Sequence, residues 1–236
     1  MRFKNYLTEE ARTRNVAKFP LDKARAYAEE VYGGAFKGEE ALKKDMPNFD
    51  KNYIKLQNLY KKEALNIKRI DMPVIEPEDM KKFDERLGKG EIDIFKPHSL
   101  EGLKKGQFPK DISPGEGKVW VKLGQKDGDP NDDKVKAKLT RLSAQKLKPL
   151  QGQLWLEKLV NNIKRFGAPK VGSPVLDTTI IVSKEGYILD GHHRHGQVML
   201  VDPSLKMKAL HIPLDIKTLL KMGRSYGAAI GNKPKA

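Results

Sequence analysis

The chain has 236 residues, 38% of them apolar and 33% charged, with a formal net charge of +15. It contains no cysteine, which excludes disulfides, thiolate metal sites and a cysteine nucleophile. No apolar run approaches the roughly 18 residues a membrane span needs, and the N-terminus shows no signal-peptide pattern, so a cytoplasmic protein without a membrane partner is expected.

In chain order, Leu21 to Tyr32 reads as an amphipathic helix. Leu21, Ala24, Ala28 and Val31 fall on one face, and Gly33-Gly34 supply a stop. Asn48 to Asn66 reads as a second helix, with Tyr53, Leu56, Leu59 and Tyr60 near helical spacing and lysines between them. Asp71-Met72-Pro73 forces extended chain, and Glu76-Pro77-Glu78-Asp79 opens a helix that runs through Leu87. The run Glu91–Phe95 suggests a short strand. Residues 1–105 thus form a mainly helical N-terminal region.

Glycine and proline then crowd Gly102 to Gly117, and a linker is expected at 106–117 before a second domain at 118–236. A short strand at Val119–Leu123 leads to an acidic loop, Gly124–Asp133. Its spacing does not fit an EF-hand and no glutamate closes it, so it reads as a solvated loop. Lys136 to Leu142 alternates like a strand. After Pro149-Leu150-Gln151-Gly152-Gln153 comes a helix, Leu154 to Phe166, with Trp155, Leu156, Leu159, Val160 and Ile163 as its buried stripe. Its charged residues, Glu157 among them, are expected mostly on the other face. Thr178–Val182 and Gly186–Leu189 form a hairpin signal. A helix runs from His192 to about Val201, Lys208–Leu214 is a closing strand, and Asp215 caps a final helix through Met222. The order predicts an α+β fold.

Three of the five histidines lie within residues 192–195, in Asp190-Gly191-His192-His193-Arg194-His195. Burying such a cluster requires a polar partner for each imidazole, so it is expected at the mouth of a site. A strand that turns at once into a helix aims unpaired backbone N–H groups at whatever lies over the turn, which suits phosphate. Gly191 lets the backbone approach closely. Arg194 can fork two oxygens, and His192 and His193 can donate to phosphate or shuttle protons. Asp190 is placed to hold a divalent ion. Histidine ligation of a transition metal and a purely structural helix start are the rival readings.

The motif Asp190–Arg194, between a hairpin and a helix, resembles the ParB/sulfiredoxin superfamily, in particular the branch that bears this Asp-Gly-His-His-Arg sequence and includes nucleotide-dependent free-serine kinases. Lys148-Pro149-Leu150-Gln151 is similar to the turn that precedes the first helix in these proteins. The resemblance covers roughly residues 134–222. It implies a ParB/sulfiredoxin-like C-terminal domain that binds a nucleotide (ATP, ADP or CTP) with Mg2+. Asp190, His192, His193 and Glu157 would be catalytic, Gly191, His193, Arg194 and Gln151 would hold the nucleotide, and Asp190 would hold the metal. Sulfiredoxins carry a reactive cysteine where this chain has His192, which excludes sulfinic acid repair. Only 42 residues follow Arg194, too few for the helix-turn-helix of partition proteins.

Phosphotransfer is therefore the expected activity. A DNA-binding protein or nuclease is the alternative: residues 116–236 hold 22 basic and 11 acidic side chains, against 24 and 20 in residues 1–115. Lys134, Lys136, Lys138, Arg141, Lys146 and Lys148 belong to that excess. A third reading is a non-catalytic scaffold in a larger assembly, such as a phage particle, docked through the lysine-rich helix around Tyr53.

Overall fold

The computed structural model describes residues 14–34, 37–94, 123–126, 128–129 and 131–232. The expected linker, most of the Val119–Leu123 strand, and Phe95 lie outside these residues. Helix α1 (Leu21–Tyr32) ends at Gly33, whose φ of +126° lets its amide turn back onto the carbonyls of Glu29 and Glu30. Helix α2 (Lys37–Asp45) follows, then α3 (Phe49–Lys62), shorter than its periodicity predicted, and α4 (Met80–Gly88). Glu91–Ile94 is irregular and not the expected strand. Its backbone bonds go elsewhere, with Glu91 N donating to the Arg86 carbonyl of α4, Gly124 N donating to the Glu91 carbonyl and Ile94 N donating to Asp133 Oδ1 at 2.7 Å. The acidic loop therefore closes on a fully buried Asp133 and is not solvated throughout.

The remaining elements are β1 (Lys138–Ser143), β2 (Lys148–Pro149), α5 (Leu156–Phe166), α6 (Pro174–Asp177), β3 (Ile180–Val182), β4 (Tyr187–Asp190), α7 (His192–Val201), β5 (Lys206–His211) and α8 (Ile216–Ala229). The fold is α+β, with a mixed sheet in the order β1-β5-β3-β4-β2. β3 and β4 form the expected antiparallel hairpin, with Ile181 opposite Asp190. β5 runs parallel to β3, with Ile180 opposite Ala209. A parallel return of this kind needs a crossover, and α7 lies in it.

Residue contacts divide the chain into two compact units that interleave along the sequence. One takes residues 1–66, 143–177 and 192–207; the other takes 67–142, 178–191 and 208–236. In the first unit α3 and α5 both pack on α7, and Tyr53, Leu56, Leu159, Val160, Ile163, Val198 and Leu200 are fully buried. The apolar face of α3 is thus consumed inside its own unit. Asn52 Nδ2 donates to the carbonyls of Leu200 and Val201, both at 3.0 Å, and satisfies the C-terminal end of α7.

In the second unit Asp215 caps α8 as expected, accepting from Lys217 N at 3.0 Å and Thr218 N at 3.1 Å. The helix runs seven residues past Met222, through two glycines of low helix propensity. The glycines are there for fit. A Cβ on Gly223 would stand 2.9 Å from Leu189 Cδ2, and one on Gly227 would stand 2.7 Å from the Val74 carbonyl oxygen. Phe83 packs on Tyr226 beside them, ring centroids 4.8 Å apart.

Candidate functional site at the start of helix α7

β4 ends at Asp190 and α7 begins at His192, so a single residue makes the turn. That residue is Gly191 at φ +105°, a conformation that costs any residue with a Cβ. The four side chains that follow have different fates. His192 is 4% exposed and His195 fully buried, while His193 and Arg194 are half-buried. The expectation that the cluster opens as a whole at a site mouth is corrected here. His192 and His195 are three residues apart on one helical face, and that face is the packed one.

Each buried imidazole has a backbone partner at its Nε2. His192 Nε2 accepts the backbone N–H of Leu150 at 3.0 Å and of Gln151 at 3.3 Å. This joins the Lys148–Gln151 turn to the first residue of α7. A nitrogen that accepts two amide protons has no lone pair left for a substrate proton, so His192 positions the turn. His195 Nε2 lies 2.9 Å from the Ala144 carbonyl oxygen. Burial pushes its imidazole down to about 4, against a smaller opposing pull from that hydrogen bond. Its Nδ1 is buried without a hydrogen-bond partner among the described residues.

Gln151 is 4% exposed, and its side-chain Oε1 is buried without a hydrogen-bond partner among the described residues. Its backbone amide is the one His192 holds, so Gln151 and His192 come together. Glu157 is 2% exposed, not on the solvated face of its helix. Its Oε1 accepts from Arg14 Nη1 at 3.3 Å and from Arg14 N at 3.2 Å. The chain around Arg14 is laid along residues 154–156: Val16 N donates to the Leu154 carbonyl and Leu156 N to that of Arg14. Arg14 also lies over the Tyr27 ring, 4.3 Å from its centroid. Glu157 therefore anchors the segment at Arg14 and shares no hydrogen bond with the motif. Arg14 and Asn52 escaped sequence reading because neither stands in a pattern; each is defined by a partner more than a hundred residues away.

Among the described residues no group of three or more histidine, aspartate or glutamate side chains converges as a metal site. No helix among them is long and apolar enough to cross a membrane. No family model, curated protein or solved structure matches the chain.

Proposed function

We propose that the protein binds a nucleotide by its phosphates at the start of α7, as the ParB/sulfiredoxin resemblance implies, and uses it for phosphoryl transfer. The observation that carries this reading is the pair of hydrogen bonds that His192 Nε2 accepts from the amides of Leu150 and Gln151. It ties together the two stretches, Lys148–Gln151 and Asp190–Arg194, on which the resemblance rests. With His192 used for that purpose, His193 and Arg194 are the side chains to hold phosphate oxygens, aided by the N–H groups of the first turn. Asp190 would hold Mg2+, which needs only one or two carboxylates beside the substrate phosphates and would neutralise their charge. Glu157 has no place in the chemistry on this reading, since its carboxylate is engaged by Arg14.

Titration calorimetry with ADP, ATP and CTP in Mg2+ tests the proposal. At least one should bind, and Arg194→Ala should weaken it about 10- to 100-fold, the worth of a charge-assisted hydrogen-bond pair. Absence of binding to the wild type, or equal binding by the variant, would overturn it.

A further inference from the structure

The first unit also holds an open groove of about 670 Å³ at the other end of α7. Val201 and the turn Asp202–Leu205 form one wall, and the first turn of α3 forms another. The ten residues of α7 put this groove about 13 Å along the helix axis from His192. We propose that it receives the phosphate backbone of duplex nucleic acid, a site independent of the one at the start of α7.

The groove is built cationic. Lys44 comes from the end of α2, Lys51 and Lys55 stand one turn apart on α3, and Lys170 lies on the loop after α5. All four are exposed. None makes an ion pair among the described residues, whereas Lys43 next door pairs with Glu39 at 2.8 Å. The two carboxylates of the groove are engaged by neutral donors. Asp45 accepts the Tyr32 hydroxyl at 2.9 Å, and Asp202 accepts Ser204 N and Oγ at 2.8 and 2.7 Å. The N-terminus of α3 adds its partial positive charge. The opposing C-terminal carbonyls of α7 are quenched by Asn52, two bonds at 3.0 Å each.

The lining also selects the occupant. Among the described residues it offers neither an aromatic ring nor an arginine. Without rings there is no platform on which the bases of a single strand could stack. Without guanidinium forks there is no bidentate grip on one small phosphate. What remains is a row of mobile point charges over an open trough. That suits a repeating rib of phosphates whose bases are paired and turned away, and it makes recognition independent of sequence.

Fluorescence anisotropy with a labelled 20-base-pair duplex between 50 and 200 mM KCl tests this. A fourfold variant (Lys44→Gln, Lys51→Gln, Lys55→Gln, Lys170→Gln) should flatten the plot of log K against log salt by about 3.6, at roughly 0.9 per phosphate contact. The groove alone then accounts for about a 150-fold loss of wild-type affinity over that salt range. A control with the same charge change on exposed lysines outside the groove (Lys23→Gln, Lys62→Gln, Lys81→Gln, Lys217→Gln) should change the slope by less than 1. If the fourfold variant does not fold, Lys51→Gln alone should flatten the slope by about 0.9. Equal slopes for groove and control variants, no duplex binding by the wild type, or tighter binding of the single strand would each overturn the proposal.

Discussion

Replacing His192 by phenylalanine keeps an aromatic ring at the start of α7 and removes the acceptor that binds the Lys148–Gln151 turn. Both amides concerned are buried, at 3.0 and 3.3 Å from Nε2. A buried donor stranded without a partner costs about 1–3 kcal/mol. The Gln151 bond is the longer of the two and so carries less of the total. Together they set the expected cost of His192→Phe at about 2–4 kcal/mol. With a urea m-value of about 3 kcal/mol/M, the unfolding midpoint should fall by about 1 M at unchanged m. His192→Gln, which restores an acceptor oxygen, should fall between variant and wild type. A midpoint for His192→Phe within about 0.2 M of wild type would refute the reasoning, because it would mean that the two amides do not depend on this nitrogen.

Stability should also depend on pH through His195. Its imidazole titrates near 6.5 in the unfolded chain but only near 4 when folded, because burial disfavours the charged ring. The unfolded state therefore binds the extra proton first. The contribution of His195 is fully present above pH 6.5 and is lost as pH falls toward 4, by about 3 kcal/mol in all. The difference in unfolding free energy between wild type and His195→Gln, measured by urea titration from pH 4 to 7, should change by that amount; a flat difference would count against it. Arg14 and Glu157 should respond unequally to substitution, as read by thermal unfolding. Arg14→Ala leaves a carboxylate that is 2% exposed without its counter-charge, held only by the backbone N–H of residue 14, and should cost about 3 kcal/mol, whereas Glu157→Leu leaves a cation that reaches water and one part-buried backbone N–H, and should cost about 1 kcal/mol. Equal losses would show that the buried carboxylate does not need its partner.

The elements that sequence reading placed well are those defined by their own residues. α1 is bounded by Pro20 and Gly33, and α7 by the Asp190-Gly191 turn and the end of its apolar run; each occupies the expected span. The β3–β4 hairpin and the Asp215 cap follow from equally local chemistry. α2 was missed because Lys37–Asp45 contains only one large apolar residue, Leu42, and so has no stripe to read. The end of α8 was missed because Gly223 and Gly227 look like helix breakers until Leu189 and Val74 are seen against them.

At the candidate site the same division holds. The cluster at 190–195 and the turn at 148–151 are visible as residues, and so is the suitability of a helix start for phosphate. The roles within the cluster are not. His192 and His193 are neighbours of one residue type, yet one is fixed by amides about forty positions away and the other stays half-buried. Glu157 reads as a solvated helix residue and becomes a buried anchor because Arg14, 143 residues earlier, is laid beside it. The sequence alone determined what short-range energetics can determine: the α+β class, the stops and caps, the absence of thiol chemistry, and the place of the motif. Tertiary structure decided the interleaving of the two units, the burial of His192, His195 and Glu157, and the gathering of four lysines from three segments into one groove. The physical reason is range. Periodicity, capping and turn strain act over a few residues, whereas a buried polar atom must find its partner wherever the chain brings one.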